Sequence, residues 1–406
     1  MTIAKNTFKK LRLPIILLGI LLTPLLLGDL VPVEVKSFFL AISLSIKAVI
    51  IVLIPFIVFS FLFHSLISLK NGAISFIIML LSLVAVSNFI ASLTGYTVGS
   101  LVLPFFDLTM AKPSETEALL TPLWTIHLPK LISNEFALIA GIILGINFAL
   151  RPHKTAVDVA TKLNQIAMQF LKKVFVPLLP IFILGFVFKL EHDKQLQKVL
   201  QIYSSILFTI VGTQICYIAM IYMVAAKTNL HKFFTYLRNI LPATITGFTT
   251  ISSAATIPVT IMCTEKNLNN STLARTLIPA TANIHTLGSA IGLTIMSLGT
   301  LIAFGYELPN LATFLQFACY YTISMFAVAG VPGGVVIVAA PLLEAYLGFN
   351  AEMIGLITAI YMLFDPFGTA TNVTCNGAFA IIFSKIYKAK EPLIVTTPTA
   401  NQDAVH

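Results

Sequence analysis

Long apolar runs alternate with short polar segments along this chain. Four clear runs are Leu13–Val31, Ala48–Ile67, Ile74–Ala91 and Val199–Ala226. Each is close to the ~20 apolar residues that cross ~30 Å of hydrocarbon. The short alternating segments typical of a transmembrane β-barrel are absent from the sequence. The pattern therefore predicts an all-α polytopic membrane protein.

The first half of the chain predicts six conventional membrane spans. Their approximate bounds are 13–31, 37–67, 73–103, 133–150, 160–190 and 199–226. The first run follows a basic N-terminus, but it is longer and bulkier than the core of a cleaved signal peptide. We therefore expect an uncleaved first span.

The second half contains two apolar runs that are interrupted by polar residues, Gly and Pro. They are Thr244–Thr260 and Tyr321–Leu342, and each has Thr-Ile-Ser upstream of an aliphatic residue and Pro. A helix with polar positions is predicted after each run, at about 272–302 and 352–388. Paired interrupted segments of this kind indicate a transporter binding site. The alternative is two unrelated loops rich in Ser, Gly and Pro.

A polar stripe runs along the last predicted helix. Asp365, Thr369, Asn372 and Asn376 recur at i, i+4, i+7 and i+11, so they share one helix face. An ionisable group in such a stripe indicates a functional site within a membrane. The alternative makes Asp365 an N-cap with Pro366 at the first helical position, which explains only Asp365.

The helix predicted at 272–302 has a second, shorter polar face. Thr281, His285 and Ser289 lie at i, i+4 and i+8. His285 has two interpretations. It is a neutral imidazole that is hydrogen-bonded to neighbouring groups, or it is a proton carrier whose pKa lies near physiological pH.

Composition agrees with the membrane assignment. Of 406 residues, 57% are hydrophobic and 10% are charged, against roughly 25% charged in soluble domains. The mean hydropathy is +0.94. The net charge of +9 arises from basic residues concentrated in alternate connections, as the positive-inside rule expects, so it gives no reason to invoke nucleic acid. This alternation predicts that both termini are cytoplasmic, and we expect a protein of the plasma (inner) membrane. The four cysteines have no metal or disulfide spacing.

Three motifs carry a resemblance to a known family. They are SSAATIPVT at Ser252–Thr260, AGVPGG at Ala329–Gly334 and DPFGTATNVTCNGA at Asp365–Ala378. Together with the order of the predicted elements, they resemble the dicarboxylate/amino acid:cation symporter family, the glutamate-transporter homologues.

The resemblance implies an architecture of eight transmembrane helices plus two re-entrant helical hairpins, with inverted repeats and separate scaffold and transport domains. It also implies a homotrimer in the lipid bilayer. Mapped onto this chain, the scaffold comprises 1–71 and 132–198, the transport domain comprises 72–131 and 199–390, and 391–406 is a cytoplasmic tail.

The resemblance also implies a substrate site. Asp365 would bind the substrate ammonium, Asn372 and the amides near Ser253 would bind its carboxylate, and Val331 would close over it. The implied substrate-binding residues are Ser252, Ser253, Ser289, Gly330, Val331, Asp365, Gly368, Thr369 and Asn372. The implied cation or proton sites are Asn283, His285, Asn372 and Asn376.

Departures from the family pattern narrow the expected substrate and coupling ion. The arginine that acidic-substrate members supply is replaced by Gly368 in the last helix and Ile251 in the first hairpin. A second buried carboxylate on the substrate would lack a partner, so we expect a neutral amino acid. Family sodium ligands are replaced by His285, Leu287 and Asn376, so we expect at least two sodium sites to be weak or lost.

We therefore predict a secondary transporter of a small neutral amino acid that works by an elevator motion with proton or residual sodium coupling. The alternatives are a symporter of C4-dicarboxylates or acidic amino acids, and an uncoupled facilitator or anion channel of the same fold. An intramembrane enzyme would have only Ser252, Ser253 and His285 as a nucleophile and base. We expect no enzymatic activity and no cofactor.

Overall fold

The protein is all-helical throughout the part described by the computed structural model, and no strand occurs there. This part comprises residues 16, 19–20, 22–67, 74–108, 119–126, 128–129, 131–151, 153–268, 271–328 and 333–387. The predicted all-α class is confirmed.

Six α-helices lie within residues 33–225 of the described chain. They are α1 (Val33–Ile67), α2 (Ile74–Val102), α3 (Asn134–Leu150), α4 (Lys154–Phe170), α5 (Val176–His192) and α6 (Leu196–Ala225). The longest connection among them, between α2 and α3, spans residues 103–133. Four predicted spans agree with α1, α2, α3 and α6 to within a few residues. The predicted span 13–31 lies partly outside the described residues, and residues 22–27 of it are helical.

The helices of the second half are shorter, except for the last. They are α7 (Leu230–Thr250), α8 (Ser253–Glu265), α9 (Ser271–Thr281), α10 (Leu287–Ala303), α11 (Leu311–Ser324), α12 (Gly334–Leu347) and α13 (Ala351–Ile386). The interruption predicted within 244–260 is confirmed between α7 and α8. The interruption within 321–342 is confirmed by the end of α11 and the later start of α12.

One predicted span is divided. The stretch 160–190 is not a single helix, because a π-helical turn at Leu171–Phe175 separates α4 from α5. The segment Lys154–Phe175, which includes this turn, is bent by 49° relative to Pro180–His192. Pro177, in the first turn of α5, has no N–H to continue the hydrogen-bond ladder of the preceding helix.

The helix predicted at 272–302 is also divided. The structure has α9 up to Thr281 and α10 from Leu287, with an irregular segment at 282–286 between them. The prediction that Thr281, His285 and Ser289 share one helix face is therefore wrong. Hydrogen bonds from distant helices stabilise this break, as described below.

Within the described residues, four helices are long and apolar enough to cross a membrane, and the bent α4–α5 pair gives a fifth. The four are Val33–His64, Ile78–Phe105, Leu196–Ala225 and Ala351–Ile386. The apolar window of the last is 78% buried, whereas those of the other three are 33–44% buried. The polar stripe on α13 therefore faces protein rather than lipid.

Packing divides the helices into two neighbourhoods. The first neighbourhood is centred on α1, which contacts α3, α4 and α5. In the second half α13 is central, since it contacts α6, α7, α8, α9, α10 and α12. Helix α2 joins this second group through α10 and α11. The two groups meet where α13 contacts α5 and where α1 contacts α12.

Candidate functional site

The polar stripe of α13 is buried along its whole length. Asp365 is 6% exposed, and Thr369, Asn372 and Asn376 are 4% exposed or less. Helix α13 begins at Ala351, so Asp365 lies well inside it. The alternative in which Asp365 is an interfacial N-cap is therefore wrong.

Asp365 is a buried carboxylate that contacts the start of α12. Its Oδ2 accepts a hydrogen bond from the backbone N–H of Gly333 at 2.8 Å, and its Oδ1 lies 3.4 Å from Thr369 Oγ1. Among the described residues it forms no ion pair. A buried carboxylate is costly unless a positive charge joins it, so this site favours a cationic ligand group.

Glycine is favoured at position 333. Its φ of +71° lies in the left-handed region, and an added Cβ would lie 1.8 Å from Met362 Cε. This backbone geometry directs the N–H of Gly333 towards Asp365. The predicted site residues Gly330 and Val331 lie outside the described residues.

The start of α8 presents backbone N–H groups on the other side of the site. Helix α7 ends at Thr250, and its C-cap is Ile251, a β-branched residue with φ of +51°, which is a strained conformation. Ser252 is the N-cap of α8 and accepts from Ala255 N at 3.3 Å. The N–H groups of the first helical turn have no intrahelical partner, so this turn can bind an anionic group.

Asn88 of α2 stabilises the break between α9 and α10. Its Nδ2 donates to Ile284 O at 2.7 Å, and its Oδ1 accepts from Thr286 N at 3.1 Å. Asn88 is fully buried. We did not identify it in the sequence, where the only signal is a single Asn within a long apolar run.

Asn372 holds the start of α10. Its Oδ1 accepts from the backbone N–H groups of Gly288 at 2.8 Å and Ser289 at 3.2 Å, and its Nδ2 donates to Ser289 Oγ at 2.9 Å. These N–H groups belong to the first turn of α10 and would otherwise lack partners. Asn372 thereby fixes the position of Ser289.

His285 lies in the break, fully buried, and both of its ring nitrogens have partners. Nδ1 is 2.6 Å from Asn376 Oδ1, and Nε2 is 2.9 Å from Ser87 Oγ. The ring also packs against Phe379, with a centroid distance of 4.4 Å. His285 and Asn376 thus form a pair of their own, beside α2.

A small cavity brings most of the predicted substrate residues together. Its lining comprises Ile251, Ser253, Ala282, Asn283, Thr286, Ser289, Val328, Gly334, Val335, Asp365, Thr369 and Asn372. Gly368 lines an adjoining cavity that also includes Ser289 and Asp365. Ser252, His285 and Asn376 line neither cavity. Thr286, Val328 and Val335 were not predicted, because apolar or single hydroxyl residues carry little signal in an apolar sequence.

The lining has one ionisable side chain, Asp365, and no Lys or Arg among the described residues. The described part of the chain also holds no cluster of three or more His, Cys, Asp or Glu residues that could bind a metal ion. Acceptors at Asp365 and donors at α8 suit a ligand with one positive and one negative group.

Comparison with known proteins gives a family match over nearly the whole chain. The model of the sodium:dicarboxylate symporter family matches residues 13–386. Similar proteins include a serine/threonine transporter, SstT, of Acinetobacter baumannii ATCC 17978, which is 29% identical over 140 residues, or 34% of each chain.

A second serine/threonine transporter, from Streptococcus thermophilus CNRZ 1066, is 28% identical over 229 residues. That alignment covers 55% of this chain and 56% of the relative. A third, from Acinetobacter baylyi, is 25% identical over 189 residues. The chain thus aligns with between a third and just over half of the length of these relatives.

Proposed function

Since this chain belongs to the sodium:dicarboxylate symporter family, we propose that it is a secondary transporter of a small neutral amino acid. The main observation behind this proposal is that the carboxylate of Asp365 is buried in a cavity whose described lining holds no cationic side chain. Members of this family are transporters rather than enzymes, and the apolar helices fit a multi-pass protein of the plasma membrane.

In this proposal the substrate ammonium binds Asp365. A positive group there would offset the desolvation of the carboxylate, which the N–H of Gly333 offsets only in part. The ammonium and the N–H of Gly333 would share the carboxylate. Binding of the substrate would thereby be linked to the position of the second hairpin, α11 and α12.

The substrate carboxylate binds the first turn of α8, at Ser253. The helix N-terminus supplies N–H donors and a positive dipole end to an anion. A second carboxylate on the substrate would have no such partner, because Gly368 and Ile251 occupy the positions where acidic-substrate members supply arginine. The relatives named above are serine/threonine transporters, which makes serine and threonine the substrates to test first.

The coupling ion is a proton or sodium. Four residues are candidates for binding this ion. His285 and Asn376 are hydrogen-bonded to each other, and Asn283 and Asn372 line the cavity. His285, Leu287 and Asn376 occupy positions where the family has sodium ligands, and none of the three has a carboxylate. Sodium binding is therefore expected to be weak. The same observation supports an uncoupled facilitator as the second candidate.

The architecture proposed for this transport is eight spans plus two re-entrant hairpins, α7–α8 and α11–α12. The scaffold domain comprises 1–71 and 132–198, and the transport domain comprises 72–131 and 199–390. The packing of α1 with α3, α4 and α5, and of α13 with α6 to α10, supports this division. The transport domain moves across the membrane against the scaffold, and both termini are cytoplasmic.

The protein assembles as a homotrimer in this proposal. The basis for this assembly is the resemblance to the family, and the exposed apolar face of α3 at Phe136, Ile139, Ile143 and Ile146 is compatible with it. An apolar face on a membrane helix contacts either lipid or another protomer.

Binding of serine to the purified full-length protein tests the site directly. Asp365→Asn removes the negative charge that pairs the ammonium, and we expect it to lower serine affinity by about a hundredfold or more, as for other buried charge pairs. Isothermal titration of the wild type and the variant measures this. Unchanged serine affinity in a folded Asp365→Asn variant would contradict the assignment.

A further inference from the structure

Two polar side-chain atoms of the break between α9 and α10 are buried without a hydrogen-bond partner. They are Thr286 Oγ1 and Asn283 Oδ1, which have no partner in the part of the chain that the structure describes. Thr286 is 2% exposed, and both residues line the cavity that contains Asp365. Buried polar atoms without partners are rare in folded proteins, and each requires an explanation.

Two other polar side chains of this cavity are engaged within the protein. Asp365 accepts from Gly333 N, and Asn372 joins Ser289 and the start of α10. Within the described lining, the hydroxyl of Thr286 and the amide oxygen of Asn283 are the fully buried side-chain atoms that lack a hydrogen-bond partner. A ligand group that enters the cavity would meet these two atoms.

The chemistry of the two atoms indicates an alcohol. An amide oxygen only accepts hydrogen bonds, whereas a threonine hydroxyl both donates and accepts. A ligand hydroxyl can donate to Asn283 and accept from Thr286, which neither a methyl nor an ammonium group can do. The ammonium already has a stronger partner in Asp365.

We propose that Thr286, together with Asn283, recognises the side-chain hydroxyl of the substrate and so selects serine and threonine over alanine and 2-aminobutyrate. This inference rests on the proposed function, because it needs a neutral amino acid in the cavity. It divides recognition among three positions: Asp365 for the ammonium, the start of α8 for the carboxylate, and the helix break for the hydroxyl.

The test is uptake of labelled serine and alanine, and of threonine and 2-aminobutyrate, by the full-length protein in liposomes. The wild type is expected to prefer each hydroxylated substrate by about tenfold, the effect of one well-formed hydrogen bond to a buried group. Thr286→Val removes the hydroxyl and keeps the shape, so the preference within each pair is expected to fall to about one. Thr286→Ser is expected to restore it.

Thr294→Val is the matched control. Thr294 is also buried with an unpaired hydroxyl among the described residues, but it lies in α10 outside the cavity lining. Its replacement is expected to leave the preference within each pair at the wild-type value.

Two results would overturn the inference. One is a serine-to-alanine ratio that Thr286→Val leaves unchanged, or that is already close to one in the wild type. The other is an equal loss of serine and alanine uptake with an altered dependence on sodium or pH, since that would place a coupling cation at Thr286. Absence of neutral amino acid uptake by the wild type would instead overturn the proposed function, and this inference with it.

Discussion

At the scale of single residues, Asp365 and Gly368 determine which charges the site accepts. Asp365 is the only ionisable side chain in the described lining of the cavity. Gly368 lies one helical turn further along α13 and lines the adjoining cavity. A Cβ added to Gly368 would lie 3.6 Å from Ser289 Oγ, an ordinary contact. A side chain can therefore start at this position without displacing its neighbours.

Gly368→Arg is expected to admit an acidic substrate. The guanidinium would supply the cation that a second substrate carboxylate needs, through a charge-assisted hydrogen bond. We expect aspartate uptake to rise by about tenfold or more over the wild type, while serine uptake falls. Competition of unlabelled aspartate with labelled serine in liposomes measures this change.

Gly368→Leu is the control for side-chain size without charge. It is expected to lower serine uptake without any gain for aspartate. Equal behaviour of the Arg and Leu variants towards aspartate would show that position 368 does not face the substrate.

At the scale of elements, the break between α9 and α10 organises the site. It lets Asn372 cap α10 and places Thr286 in the cavity. Asn88 of α2 binds both Ile284 O and Thr286 N, so the break depends on a helix far away in the chain. The buried backbone groups at this position would otherwise lack partners.

Asn88→Leu is expected to destabilise the protein by about 2–6 kcal/mol, because two buried backbone groups lose their partner at about 1–3 kcal/mol each. Thermal unfolding of the purified protein measures the loss. Ser92→Ala, one turn along the same buried face of α2, removes a hydroxyl that bonds only to its own helix at Asn88 O. We expect the stability of the Ser92→Ala control to stay within about 1 kcal/mol of the wild type. An equally small loss of stability in Asn88→Leu would contradict the role assigned to Asn88.

The long helices and the polar stripe could be predicted from the sequence, but the break between α9 and α10 could not. Helices such as α1 and α6 were predictable because their apolar runs are long enough to cross a membrane. The stripe on α13 was predictable from its spacing. The break at 282–286 was not, because its hydrogen bonds come from Asn88 and Asn372, whose proximity only the fold determines. The division of the span predicted at 160–190 did have a sequence signal, since Lys172 and Lys173 lie in the π-helical turn and Pro177 follows it, but the span prediction did not use this signal.

At the scale of the whole molecule, an ion pair joins the two proposed domains. Lys189 at the end of α5 lies 3.4 Å from Glu352 at the start of α13, and 2.6 Å from Asp193. A second pair, Lys36 with Glu191 at 2.6 Å, lies entirely within the proposed scaffold. If the transport domain moves against the scaffold, the Lys189–Glu352 pair must break during each cycle and the Lys36–Glu191 pair need not.

Glu352→Gln is therefore expected to change the serine turnover rate by up to about fivefold, since a partly exposed pair contributes about 1 kcal/mol or less. Rates of serine exchange in liposomes, normalised to folded protein, measure this. Glu191→Gln is the control, expected to lower thermal stability but not the normalised rate. Equal rates for the wild type and Glu352→Gln would indicate that α5 and α13 do not separate during transport.

The central claim is that this protein moves a neutral amino acid through the Asp365 cavity, and uptake into liposomes tests it most directly. Labelled serine and labelled aspartate would be offered together to the reconstituted protein, first under a sodium gradient and then under a proton gradient. We expect serine to accumulate and aspartate to remain outside. Accumulation of aspartate or a C4-dicarboxylate without serine would contradict the account, because it would require a cation at the site that the described lining does not contain.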